Sequence, residues 1–289
     1  MHMKMHGIGW QILACLSAAC IVVLVRYLSA DLHPLQVTCF TLIFALIWMI
    51  PWLTKGNALL PERHLGGWYL ARSLCSLGGT ALAYYCYTQL PLPLATSLSF
   101  TTPIFASVFA MFFFQERVDM PRLFALAIAF GGVLIIARPG SEHFNLYALL
   151  MVASSALIAC SILIIKRLTV NDRPRHIVFY SLMIMAPISF AVSLPFWRPV
   201  ELAHLPWLAA LGFLSSIQQI ASSRALARAD VVVIMAFDYL RLVFVAVLAY
   251  LFFAEVISLW TVVGSLIILN SALYALQRER RLTRNMPPQ

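Results

Sequence analysis

The chain predicts an all-α protein that crosses a membrane many times, and three observations predict it. Of its 289 residues 62% are hydrophobic and only 11% are charged, with a mean hydropathy of +0.88. A soluble protein carries about 25% charged residues. The apolar residues fall into ten runs, at residues 8–28, 35–53, 66–89, 94–114, 121–138, 145–165, 175–195, 206–227, 231–253 and 258–277. About 20 such residues cross the roughly 30 Å hydrocarbon core of a bilayer as a helix. Finally, the chain repeats itself with five runs in each half. Five is odd, so the second half enters the membrane upside down relative to the first. The expectation is therefore a polytopic membrane protein of ten transmembrane helices, an inverted five-plus-five repeat around a central cavity. Its two units are residues 1–140 and 141–289.

Each run ends on residues that break helices or prefer water. Asp31 to Pro34 parts the first two runs, Lys55 to His64 the next two, and Pro91 with Pro93 the third from the fourth. Asp119 to Pro121, Pro139-Gly140, Asn171 to Pro174 and Arg198-Pro199 part later ones, and Ser258 stands where a helix cap belongs. The connections are short and leave no room for a soluble catalytic or nucleotide-binding unit. No small-residue cleavage site follows the first run, so it is expected to be a retained helix.

The repeat shows in the residues. Shifted by 140, Arg26-Tyr27-Leu28-Ser29 falls on Lys166-Arg167-Leu168-Thr169, Pro34 on Pro174, Val37 on Ile177 and Phe40 on Tyr180. Shifted by 139, Phe113-Phe114-Gln115-Glu116 falls on Phe252-Phe253-Ala254-Glu255. Inverted repeats of this kind mark secondary transporters, whose site lies near the midplane between the halves.

Charge sets the orientation. Of the 20 Lys and Arg, 15 lie on the connections that share a side with the N-terminus, and Arg26, Arg138 and Arg198 lie on the other. Positive charge stays inside, so both termini are expected in the cytoplasm. The net charge of +9 is this asymmetry and not a nucleic-acid footprint. The six cysteines all fall in apolar runs without a C-x-x-C pair and read as small buried residues. The Met1-His2-Met3-Lys4-Met5-His6 start reads as a mobile tail in preference to a soft-metal site. Neither a metal nor a cofactor is expected.

Arg72 and Arg241 remain, inside runs. Residues 231–253 are almost wholly apolar except for Phe237-Asp238-Tyr239-Leu240-Arg241. Ten residues of helix rise about 15 Å, which puts Arg241 near the bilayer midplane. A charge there costs at least about 2.5–3.5 kcal/mol and usually faces a protein-lined cavity. The plainer reading is a self-neutralising i, i+3 pair with Asp238 that pins two helices.

Leu90-Pro91-Leu92-Pro93-Leu94-Ala95, Phe100-Thr101-Thr102-Pro103, Glu116-Arg117-Val118, and Gly131-Gly132-Val133 through Arg138-Pro139-Gly140 resemble the EamA-type branch of the drug/metabolite transporter superfamily. Phe237-Asp238-Tyr239, Phe253-Ala254-Glu255 and Gly264 resemble the sub-branch that includes bacterial riboflavin and S-adenosylmethionine carriers. The resemblance spans essentially the whole chain. It implies a ten-helix bundle in the bacterial inner membrane, with a cavity lined chiefly by helices 1, 3, 4, 6, 8 and 9. Many members carry an Arg about seven residues after the helix 2 proline. Thr41 stands there in this chain, which puts that contact in doubt or hands it to Arg72 or Arg241.

The candidate site residues are Arg241, Asp238, Arg72, Gln218, Gln219, Ser99, Thr102, Tyr239, Phe100 and Tyr84. Arg72 lies about 9 Å into helix 3. It either meets Asp238, at a similar depth in helix 9, or snorkels to the headgroups. Gln218 and Gln219 are neighbours on helix 8, so one of them is expected in the cavity, against a reading as interhelical glue. Ser99 and Thr102 are the repeat counterparts of Asp238 and Arg241, beside a kink at Pro103. Tyr84, Tyr85, Tyr87, Phe100, Phe237 and Tyr239 offer stacking faces, though most such aromatics merely pack. Glu116 and Glu255 are expected to tie the start of the next helix, since acids favour helix N-termini. Gly131, Gly132, Gly264 and Ala125 read as close-packing residues.

These features predict a secondary carrier of a small amphipathic metabolite, carboxylate-bearing or zwitterionic, working by alternating access. The alternatives are an integral-membrane enzyme and a passive channel. No G-x-S-x-G, H-E-x-x-H, paired carboxylate or histidine cluster supports the first, and no ring of like groups the second. No G-x-x-x-x-G-K-[ST] points to ATP. The partners expected are the substrate and the lipid bilayer, with no nucleic acid, and a homodimer is compatible with the chain.

Overall fold

The computed structural model describes residues 2–53, 66–102, 104–106, 108–109, 120–137, 146–168, 172, 174–228 and 240–284. Their α-helices are α1 (His2–Leu28), α2 (Pro34–Leu53), α3 (Gly66–Gln89), α4 (Leu92–Ser99), α5 (Met120–Ala137), α6 (Leu146–Leu168), α7 (Pro174–Ser193), α8 (Leu205–Arg228), α9 (Leu240–Phe253) and α10 (Leu259–Arg284), and residues 102, 104–106 and 108–109 are helical as well. Proline opens α2 and α7, where the missing N–H has no intrahelical partner to lose. Ser258 stands at the cap of α10 as expected, its carbonyl accepting Val262 N–H at 3.1 Å. Helix α1 begins at His2, so the His-Met start continues a helix instead of trailing as a tail. Its side chains lie outside the described ones, as do Glu116 and Pro103.

Among the described residues three stretches are long and apolar enough to cross a membrane by themselves: Ile8–Leu28, Leu146–Ile165 and His176–Phe196. Helices α3 and α8 have the length, 24 residues or about 36 Å each. They are less apolar because they spend polar residues on the interior of the bundle. The outside is apolar instead: Leu13, Leu16, Ile47, Trp48, Leu70 and Leu74 are all exposed. Such a surface suits lipid and would aggregate in water.

Helix α1 packs along α8 and α3 along α6, the two most extensive pairings, while α5 lies on α10 and α2 between α7 and α8. Glycines set the closest crossings. A Cβ on Gly79 of α3 would stand 2.7 Å from Ile158 Cγ1 of α6, and Ser154 Oγ donates to Gly79 O at 2.6 Å. Gly132 and Gly264 bring α5 and α10 backbone to backbone: a Cβ on Gly264 would stand 2.7 Å from Gly132 O. Gly131, expected to share that role, has nothing within 4 Å of its Cβ position. It lies one residue, about 100°, round the helix from the contact. The side chain of Ala125 lies outside the described ones.

The end of the bundle where α1, α3 and α9 finish is fastened by charge. Arg26 Nη1 lies 2.7 Å from Glu255 Oε1 and donates to Leu90 O at 2.8 Å. Leu92 N–H, in the first turn of α4, donates to Glu255 Oε2 at 2.7 Å. Glu255 was expected to tie the next helix, α10, and instead it caps α4. The reason is the turn before it. Ala254 takes φ 55, and the N–H groups of Ala254 and Glu255 return to Tyr250 O and Ala249 O. This left-handed reversal points Glu255 back across the bundle, towards amides that have no acceptor in their own helix.

Beside this end, His33 stacks on Phe196 with ring centres 4.5 Å apart, and its Nδ1 accepts Leu35 N–H at 3.3 Å. Burial, and then the nearby Arg198 charge, hold its pKa below the ordinary histidine value.

Candidate substrate-binding cavity

Within the bundle lies a cavity of about 280 Å³, lined by α1, α2, α3, α4, α6, α7, α8 and α9. Its polar wall includes Arg72, Arg241, Gln218, Gln219 and Tyr84, so five of the ten candidate residues meet at one site. Asp238 and Tyr239, like Phe237, lie outside the described residues. The expected Arg72–Asp238 contact lies there with them.

Arg72 does not snorkel. It is 7% exposed, and its Nη1 donates to Ile177 O of α7 at 3.3 Å. That carbonyl already accepts the Ser181 hydroxyl at 2.8 Å. Arg72 Nε has no hydrogen-bond partner among the described residues. Asp172, the described acid that precedes α7, is taken by the Tyr69 hydroxyl at 2.6 Å.

Arg241 reaches the cavity from α9 with its guanidinium held on α4. Nη2 donates to Ser99 Oγ at 3.2 Å, and the guanidinium carbon stands 4.9 Å from the Phe100 ring centre. Here α4 is broken. Phe100 N–H turns back to Ser97 O and Thr101 N–H to Leu98 O, the tighter i to i+3 spacing. The hydroxyls of Ser99, Thr101 and Thr102 take up the carbonyls of Thr96, Leu98 and Ser99. A helix interrupted at membrane depth is tolerated when its freed groups are satisfied in this way.

Three candidates are therefore corrected in role. Thr102 bonds its own helix and is absent from the cavity wall. Phe100, 4% exposed, packs in the core with Leu98 and serves Arg241 as a cation–π platform instead of offering a free stacking face. Ser99 also stands behind the wall, orienting Arg241. Gln218 and Gln219 depart from expectation in the other direction, since both meet the cavity. Neighbours on a helix differ by about 100°, and the cavity wraps far enough round α8 to reach both. Of the tyrosines, Tyr84 lines the cavity with its hydroxyl turned to Thr41 and Ser215, and Tyr87 lines it too. Tyr85 points away and stacks edge-on against Tyr147.

Sequence reasoning missed Thr96, and it missed the part played by α2 and α7. Thr96 is 1% exposed, lines the cavity and has a hydroxyl without a partner among the described residues. Helical spacing was the available signal, since Thr96 lies one turn before Ser99. Thr41 and Ser181 bring α2 and α7 to the wall. The repeat itself pairs them, 140 apart. Among the described residues no three metal-ligating side chains converge.

An apolar helical bundle that encloses a polar, arginine-bearing cavity is the build of a membrane transport protein. The comparisons narrow this class. The chain belongs to the EamA-like transporter family, which it matches over residues 5–138 and again over 145–277. It is 27% identical to an S-adenosylmethionine uptake transporter of Rickettsia conorii, with 95% of this chain and 94% of that one covered. It is 28% identical to a riboflavin transporter of Vibrio cholerae (98% and 97% covered). A pseudopaline exporter of Pseudomonas aeruginosa is 24% identical (95% and 97% covered). A solved structure described only as "Crystal structure of protein" shares the fold, with TM-score 0.65 at 15% identity, covering 94% of this chain and 98% of that one. The chain is thus a multi-pass membrane transporter of small metabolites and not an enzyme.

Proposed function

We propose that the chain is a secondary carrier of ten spans, two inverted five-helix units (residues 1–140 and 141–289). It sits in the bacterial inner membrane with both termini in the cytoplasm and moves a small carboxylate-bearing or zwitterionic metabolite by alternating access. The observation that carries this is the cavity wall, which draws on matched positions of the two halves. Ala18 and Ile158, and Thr41 and Ser181, stand 140 apart; Ser76 and Ser215, and Thr80 and Gln219, stand 139 apart. Exchanging the halves likewise turns the α1–α8 pairing into the α6–α3 pairing. A site on such an axis serves both faces of the membrane with the same groups.

The match is imperfect in a way that favours one-sided opening. Helix α1 packs on α3 more than their counterparts α6 and α8 pack on each other. Tyr84 and Tyr87 join α1 at the Arg26 end, which the positive-inside rule places outside. On this reading the outer side is shut by the Arg26–Glu255 fastening and the cavity faces the cytoplasm. Arg241 shares in holding the substrate from the same cavity wall as Arg72, with a fork that lysine does not reproduce. S-adenosylmethionine and riboflavin, the cargo named for two relatives, belong among the ligands to be compared. The test is counterflow in ATP-free proteoliposomes loaded with unlabelled bacterial metabolite extract and given the same extract labelled with carbon-14. Label should enter and overshoot, and mass spectrometry then identifies it. No stimulation by trans substrate, or a need for ATP, would reject the proposal.

A further inference from the structure

We infer that the ligand of this cavity carries a net negative charge and that its oxyanion group, carboxylate or phosphate, seats on Arg72. The inference rests on the carrier reading above and narrows it. The first ground is a charge balance that the sequence alone fixes. Of the 11 acidic residues only Asp238 falls within a membrane run, while Arg72 and Arg241 both do. Even with Asp238 ionised and wholly opposed to one guanidinium, one positive charge remains inside the bundle.

The second ground is where that charge is left wanting. Among the described residues Arg72, 7% exposed, has one long bond to a carbonyl that Ser181 already occupies and no partner for its Nε. The other cations of the bundle are treated differently. Arg26 has a carboxylate at 2.7 Å, and Arg241 has Ser99 and the Phe100 face. A buried guanidinium without a counter-charge is costly, and five N–H donors in a planar fork match an oxyanion.

The third ground is the rest of the wall. Among the described residues it offers hydroxyls and amides, with Thr96 Oγ1 still unpartnered, and no carboxylate to receive an ammonium or sulfonium. An organic anion completes this site. A net cation such as S-adenosylmethionine adds to its charge.

The test is the thermal stability of the purified full-length chain at constant ionic strength. Its five anionic probes are glutarate, citrate, nicotinate, glycerol 3-phosphate and flavin mononucleotide. Glutaramide, nicotinamide, glycerol, riboflavin and S-adenosylmethionine are the uncharged and cationic references. Anions should raise the melting temperature by about 3 °C, and the carboxylate and phosphate arms show which oxyanion is preferred. The references should not. Arg72→Gln should melt at or above the wild type without ligand, because it removes an uncompensated charge, and should lose the anion response. A wild type indifferent to all five anions overturns the inference. So does an anion response that survives Arg72→Gln, or a ligand-free Arg72→Gln that melts below wild type. Counterflow of a zwitterion or cation, with no anion transported, overturns it while leaving the carrier reading intact.

Discussion

Arg26 and Arg72 both reach a backbone carbonyl across a helix boundary, and there the likeness ends. Arg26 is 26% exposed, yet it has a carboxylate, a carbonyl at 2.8 Å and the Phe253 ring beneath it. Arg72 is buried more deeply and holds a single bond of 3.3 Å. The cation that water can help is the one the protein satisfies better. On the proposed reading the difference separates two uses of one residue type: the arginine with a carboxylate fastens helices, and the one without receives a ligand.

The largest expected effect lies at the fastening. Glu255→Ala removes the partner of Arg26 and the acceptor of Leu92 N–H, and should cost about 3 kcal/mol. A chemical or thermal melt of the detergent-solubilised protein measures it. Replacing Arg26 and Glu255 together with methionine should recover part of the loss, since no stranded charge remains. A Glu255→Ala protein as stable as wild type would erase the contrast.

At the cavity the expected pattern is reversed. Arg241→Lys should leave stability within about 0.5 kcal/mol of wild type and weaken substrate affinity roughly tenfold, about 1.4 kcal/mol. Replacing Asp238 and Arg241 with leucine should express normally and remain inactive in counterflow. An active double mutant would make that pair scaffold, like Arg26 and Glu255.

Smaller effects sharpen the picture of the fastened end. Ala254 occupies a left-handed conformation that costs a residue with a Cβ about 1 kcal/mol. Ala254→Gly should therefore raise stability by about that amount without altering transport.

His33 should supply the weakest signal, through pH. Its pKa is lower folded than unfolded, so the unfolded chain binds the extra proton first as pH falls below the ordinary histidine range. Stability should decline as pH drops through that range, and His33→Gln should flatten the decline in melts between pH 7.5 and 5.

The fold was legible because a bilayer imposes a coarse rule, a long apolar run for each crossing, and eight of the ten helices begin within three residues of the run read from sequence, α1 starting six residues earlier at His2. The tenth, α9, is described only from Leu240. The site was half legible. Charges in apolar runs stand out, so Arg72 and Arg241 were found. Thr96 did not, because a membrane threonine usually bonds back to its own helix, as Thr41 and Thr102 do. Only the fold shows that Thr96 leaves its hydroxyl unused. Glu255 was legible as a cap and illegible as to which helix it caps, since that depends on the handedness of one residue, Ala254.

Gly79 leaves α3 and α6 no clearance. With Ile158 filling the space a Cβ would need and Ser154 bonded to the Gly79 carbonyl, a roll or slide would break this contact, so in the proposed cycle the two act as one strut made from both halves of the chain. Helices α1 and α8 are the equivalent pair. In the proposed cycle the struts are stiff and only the angle between them varies. The compliant joint is then the short, broken α4, which touches α3, α6 and α9 and carries the seat of Arg241. In that proposed cycle force would pass through Ser99 and Phe100, so occupancy at Arg241 would be felt at the joint itself.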